Sequence, residues 1–102
     1  MVPYALGGKM EDKYGYLKLK NTLEVIAENL IKEGQQDLAN GVLRATKFYG
    51  GMPSEFMGES WLILKRVLEN KNKLSKTTIA IVEETYKQIK EGFEKVGQKL
   101  PK

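Results

Sequence analysis

The clearest structural signal in this chain lies at residues 79–100, which read IAIVEETYKQIKEGFEKVGQKL. Apolar side chains recur in this stretch at spacings of three and four residues; they are Ile79, Val82, Tyr86, Ile89, Phe93, Val96 and Leu100. Because an α-helix turns once every 3.6 residues, side chains at these spacings form one apolar stripe, which we call the C-terminal seam. The seam predicts a long amphipathic helix that buries this face.

A similar stripe near the start of the chain predicts a first helix. It consists of Tyr16, Leu19, Leu23, Ile26 and Leu30. We expect this helix to cover residues 12–33, with Asp12 as its cap. An alternative is a short strand at 14–19 followed by a helix capped by Asn21, because Gly15 is unfavourable inside a helix.

Glycine, proline and serine mark the other helix boundaries. Gly34 is expected to end the first helix and Gly50-Gly51 the second. Pro53 suits the first turn of the third helix, and Ser75 can cap the fourth. The predicted helices therefore cover residues 35–49, 53–70 and 76–98, and residues 1–11 are expected to be irregular. Four helices with short connections predict an all-α fold, an antiparallel four-helix bundle forming a single domain over residues 1–102.

The residue types that are missing exclude several classes of chemistry. The chain has neither histidine nor cysteine, so cysteine-based zinc sites and histidine-containing catalytic triads cannot form. Glu55 and Glu59 lie four residues apart on one predicted helix, but a di-iron site in a bundle also needs histidine. We therefore predict that the protein is not an enzyme and that it holds no metal and no cofactor.

Hydropathy predicts a location away from membranes. No apolar run approaches the roughly 20 residues that a membrane-spanning helix needs. Residues 1–10 also lack the charged and apolar regions of a secretory signal. Together with the absence of cysteine, these features predict a cytoplasmic protein.

Positive charge is concentrated in the last third of the chain. The formal net charge is +4, and residues 1–70 carry equal numbers of positive and negative side chains. The excess therefore lies in residues 71–102, where Lys71, Lys73 and Lys76 surround a predicted turn. These lysines could contact phosphates weakly, but no neighbouring element is suited to reading bases, so nucleic-acid binding is an alternative rather than the main prediction.

The most distinctive local segment is FYGGMPSE at residues 48–55. Its glycines could present backbone N–H groups to an anion, although the glutamates at the start of the next helix oppose that. Its apolar members are of types enriched in protein interfaces. We predict a partner-binding surface made of Tyr49, Met52 and Phe56, with Lys71 and Lys73 as charges at its rim.

The same segment carries a family resemblance. Residues 17–54, and above all Tyr49, Gly50, Gly51, Met52 and Ser54, resemble small uncharacterised all-helical bacterial proteins. Some of these proteins are immunity proteins, which block a partner toxin by binding it. The resemblance implies a partner protein, and it implies no catalytic residues.

The sequence thus predicts a non-catalytic protein-binding helical module, and the resemblance implies an immunity-type inhibitor that binds and blocks a toxin or another partner protein. Two alternatives remain at this point. The helix at 76–98 could pair with its own copy to form a homodimer or a larger structural homo-oligomer. Lys71, Lys73 and Lys76 could support weak nucleic-acid binding.

Overall fold

The computed structural model describes residues 15–95, and this part of the chain is helical without any strand. The helices are α1 (Tyr16–Lys32), α2 (Gln36–Thr46), α3 (Pro53–Glu69) and α4 (Lys76–Lys95), with a 3-10 turn at Lys71–Lys73. Each helix packs against the next, and α1 also packs against α4. The all-α prediction is confirmed, and the closed ring of contacts is consistent with a four-helix bundle.

The first helix begins later than the sequence predicted. Its N-cap is Gly15, which has a left-handed φ of 78°. Glycine adopts this conformation without a steric penalty, so Gly15 turns the chain into the helix instead of lying inside it. The alternative of a strand is wrong for residues 16–19, which are helical, and Asn21 lies inside α1. Asp12 and residues 1–11 lie outside the described residues.

The connections around α2 follow the predicted glycines. Gly34 has a φ of 78°, and the Gln35 backbone N–H donates to the Leu30 carbonyl at 2.8 Å, which closes α1 in a Schellman-type turn. The end of α2 is at Thr46 rather than residue 49. The next three residues make tighter bonds to carbonyls three residues back, including Tyr49 N–H to Thr46 at 3.1 Å. The chain therefore leaves the α-helix one turn early.

Part of the C-terminal seam is buried against the other helices. The buried side chains on α4 are Thr78, Val82, Thr85, Ile89 and Phe93. Ile79 and Tyr86 are only half-buried, and residues 96–102 lie outside the described part. Because Val82, Ile89 and Phe93 are at most 3% exposed, these members of the seam pack in the core.

The core includes hydroxyl groups that an apolar pattern does not reveal. Ser60 donates to the Phe56 carbonyl at 2.7 Å, and Thr85 donates to the Ile81 carbonyl at 2.7 Å. Each hydroxyl is satisfied by its own helix four residues earlier, so its burial is tolerated.

An aromatic stack joins α3 to α4. Trp61 is 6% exposed and lies parallel to Tyr86, with ring centroids 3.8 Å apart and an angle of 11° between the planes. Burial, with a smaller contribution from the charge of Glu69, raises the pKa of Tyr86 above its ordinary value of 10.0.

A cluster of polar side chains joins the end of α1 to the start of α4. The Glu33 carboxylate accepts the Ser75 backbone N–H at 2.8 Å, the Ser75 hydroxyl at 2.9 Å and the Thr78 hydroxyl. Ser75 in turn caps α4, since its Oγ accepts the Thr78 backbone N–H at 3.2 Å, as the sequence predicted. We call these three residues the Glu33 clasp. The hydrogen bond from Thr78, and next the bond from the Ser75 backbone, lower the pKa of Glu33 below its ordinary value of 4.5.

Candidate protein-contact surfaces

The connection between α2 and α3 forms an ordered tip of the molecule. We call Tyr49, Gly50, Gly51 and Met52 the Gly50 tip. Gly50 has a φ of 94°, which only glycine adopts easily, and the Gly51 N–H donates to the Phe48 carbonyl at 3.1 Å. A backbone hydrogen bond therefore stabilises the turn and fixes the positions from which its side chains extend.

Tyr49 stands on the surface with a buried ring beneath it. It is 38% exposed, and its ring meets Phe56 edge-on, with centroids 5.7 Å apart and planes at 74°. The Lys20 ammonium of α1 lies 5.8 Å from the centre of the Tyr49 ring. Both contacts are of favourable geometry for an aromatic ring, so they favour one orientation of the Tyr49 side chain.

Met52 is the most exposed large apolar side chain in the described part of the chain, at 64%. It is the N-cap of α3, with an extended backbone, and Pro53 follows at the first helical position. The fixed φ of proline limits movement of the chain directly after Met52. The tip therefore presents one flexible thioether side chain next to one restrained aromatic ring.

Phe56 is buried, although the sequence predicts it on the partner-binding surface with Tyr49 and Met52. It is 1% exposed and belongs to the core. It lies one turn into α3, on the face that packs inward. Its contribution to the surface is indirect, because its ring supports Tyr49.

The predicted rim lysines lie at the other end of α3. Lys71 and Lys73 are exposed in the 3-10 turn after α3, whereas the Gly50 tip precedes that helix. A helix of 17 residues is about 25 Å long, so these lysines do not border a compact patch around the tip. Lys76 is also exposed and begins α4.

In residues 15–95 no group of three or more acidic, histidine or cysteine side chains is placed to hold a metal ion. Nor is any helix there both long enough and apolar enough to cross a membrane. At the start of α3, Glu55 occupies the first turn, where its charge opposes the binding of an anion.

A polar groove between α2 and α3 was not predicted. Its volume is about 430 Å³, and its charged lining residues are Asp37, Arg44, Glu59 and Arg66. Arg44 and Arg66 are the only arginines in the chain. Each arginine follows an acidic residue of its own helix by seven positions, about two helical turns, but this spacing does not by itself show that the two helices form a groove.

No protein-family model matches this chain, and no curated protein or solved structure is significantly similar to it. Its function is therefore inferred from the residues and the geometry described above.

Proposed function

We propose that this protein is a non-catalytic protein-binding module, an antiparallel four-helix bundle that contacts its partner through the Gly50 tip. The resemblance of residues 17–54 to immunity-type proteins suggests the class of partner, a toxin that the module blocks by binding. The absence of histidine and cysteine from the sequence supports a role in binding rather than catalysis.

The observation that carries this proposal is the 64% exposure of Met52 beside a restrained Tyr49. Methionine and tyrosine are both enriched in protein interfaces, and an exposed pair on a projecting turn can enter a pocket of a partner. Burying the remaining surface of two such side chains contributes on the order of 1–3 kcal/mol to binding.

The rigidity of the tip adds to this argument. Binding usually requires that loops and side chains become ordered, and that ordering weakens affinity. Here the turn is hydrogen-bonded, and Tyr49 already rests on Phe56. A partner therefore meets a surface whose backbone requires little further ordering.

The test uses a tip variant and a control variant that also loses two exposed apolar side chains. The double variant Tyr49→Ala with Met52→Ser removes both exposed side chains of the tip. The control, Val25→Ser with Leu43→Ser, removes two other exposed apolar side chains, on α1 and α2, which are 47% and 37% exposed. Each tagged chain is expressed in the native cell, cross-linked, captured and analysed by mass spectrometry.

We expect the original chain and the control to capture the same partner. The tip variant should bind this partner roughly tenfold more weakly or worse, which is equivalent to about 1.4 kcal/mol of binding free energy. Equal recovery by all three chains, or no specific partner for any of them, would contradict the proposal. Circular dichroism of the three chains checks that each is folded.

The immunity role requires a second measurement. The captured partner, expressed alone in a bacterial host, is expected to slow growth, and co-expression of the original chain is expected to restore it. The tip variant should restore growth less than the control variant does. A harmless partner would leave a binding module that is not of the immunity type.

A further inference from the structure

Two contacts between α2 and α3 show how the charged residues are arranged along the α2–α3 groove. Tyr49 meets Phe56 at one end of the helix pair, and Gly41 lies against Ile63 further along it. The residue nearer the Gly50 tip on one side contacts the residue nearer the tip on the other, and the more distant residues contact each other. The helices α2 and α3 therefore run antiparallel. At Gly41, an added Cβ would lie 2.5 Å from Ile63 Cδ1, which makes this the floor of the groove.

The four charged residues lie on either side of this floor. Arg44 follows Gly41 by three positions and Glu59 precedes Ile63 by four, so both lie about 5 Å from the floor towards the tip. By the same count, Asp37 and Arg66 lie about 5 Å from it in the other direction. Each end of the groove therefore has one arginine and one carboxylate on opposite walls, with the signs exchanged between the two ends.

These charges are not paired within residues 15–95. The ion pair between described side chains is Lys20–Glu24, and none of the four groove charges makes an ion pair or a side-chain hydrogen bond there. Both guanidinium groups are exposed. An arginine without a carboxylate partner is available for a paired, two-point hydrogen bond.

The alternation of signs determines what can occupy the groove. A simple anion would meet two carboxylates as well as two arginines, and a simple cation would meet the reverse. A second surface with the same alternating pattern fits this groove. When that surface is rotated by 180° about an axis along or across the groove and placed face to face with the first, each charge faces a charge of the opposite sign. This chain carries such a surface, and an interface between identical copies must be complementary to itself.

We propose that the α2–α3 groove binds a second copy of this chain, forming a symmetric dimer through the four charges Asp37, Arg44, Glu59 and Arg66. Leu62, which also lines the groove and is 37% exposed, supplies an apolar contact between them. The groove is small beside a typical stable interface, so the dissociation constant is expected to be on the order of 10–100 µM. This dimer does not involve the C-terminal seam.

Charge-reversed variants test the dimer by sedimentation equilibrium between about 10 and 500 µM. Arg44→Glu with Arg66→Glu makes the groove wholly acidic, and Asp37→Lys with Glu59→Lys makes it wholly basic. We expect the original chain to approach twice its 11.6 kDa mass. Each variant alone should stay a monomer, and an equal mixture of the two should regain the dimer mass.

The mixture distinguishes the dimer from ion pairs that form across the groove within one chain, since such pairs would not restore association between two different chains. The control Lys87→Glu with Lys90→Glu reverses two lysines on the exposed face of α4 and should dimerise like the original chain. Raising the salt concentration to about 0.5 M should weaken the dimer roughly tenfold.

A monomeric original chain at about 500 µM, or an acidic variant that still dimerises alone, overturns the proposal. So does a mixture that stays monomeric. The variant Met52→Ser should dimerise normally, so a failure of the dimer and a failure of the Gly50 tip to bind a partner can be told apart. Circular dichroism of each variant confirms that it remains helical.

Discussion

The two ends of the molecule differ in whether their side chains have partners within the chain. At the Glu33 clasp, a carboxylate accepts three hydrogen bonds from Ser75 and Thr78, so polar groups are satisfied inside the chain. At the Gly50 tip, the backbone is satisfied but Met52 is 64% exposed and Tyr49 38%. Substitutions at the clasp should therefore change stability, whereas substitutions at the exposed tip should change binding.

The largest expected effect on stability is at Phe56, whose ring supports Tyr49 of the Gly50 tip. Phe56→Ala removes a fully buried ring and is expected to lower the free energy of unfolding by about 3–5 kcal/mol. Urea denaturation followed by circular dichroism measures the change. Leu62→Ala, on the same helix but 37% exposed, is the control and should lose less than about 1 kcal/mol. Similar losses for the two variants would mean that Phe56 is not a core residue.

The next effect is at the clasp. Glu33→Ala removes the acceptor of three hydrogen bonds from Ser75 and Thr78, so we expect the free energy of unfolding to fall by about 1–2 kcal/mol. Glu28→Ala, an exposed glutamate of α1, serves as the control and should stay within about 0.5 kcal/mol of the original chain. If the two substitutions destabilise equally, the clasp does not hold α1 to α4.

A smaller effect should appear as the pH falls. Folding lowers the pKa of Glu33 below 4.5, so the folded state binds this proton less readily than the unfolded state. The stabilisation is therefore present above the unfolded pKa and is lost as the pH falls through the folded pKa. Between about pH 7 and pH 3 the melting temperature of the original chain should fall, and the contribution of Glu33 to this fall should be absent in Glu33→Gln. The control Glu28→Gln should show the same fall as the original chain. An unchanged profile for Glu33→Gln would contradict this assignment.

The smallest effect on stability is expected at the exposed side chain of the tip. Met52→Ser should change the free energy of unfolding by no more than about 0.5 kcal/mol, because Met52 is largely in solvent in the folded protein. Denaturation of the same purified chains provides the measurement. A loss of more than about 1 kcal/mol would show that Met52 supports the fold, and the contrast between the two ends would disappear.

The helices were largely predictable from sequence because local residues determine them. Apolar periodicity located α1 and α4, and Gly34, Pro53 and Ser75 marked boundaries where the structure has them. The beginning of α1 was missed because Gly15 can either weaken a helix or turn the chain into one. Only the observed φ of 78° distinguishes these two roles.

The surfaces were less predictable because exposure depends on neighbours distant in sequence. Tyr49 and Phe56 are both aromatic and close in sequence, yet one is exposed and the other buried. Glu33 reads as an ordinary charge at a helix end, and its partners on α4 come together with it only in the folded chain. The groove charges also belong to two separate helices, so their alternation emerges only when α2 and α3 are paired.

The stack of Trp61 on Tyr86 gives these experiments an optical reporter. Trp61 is the only tryptophan, so the fluorescence excited at the red edge of its absorption comes from one site between α3 and α4. Unfolding should expose the indole to water and shift its emission to longer wavelength. Trp61 does not line the groove or belong to the Gly50 tip. If a partner is shown to bind by another measurement and the emission stays unchanged, the α3–α4 packing is retained in the complex.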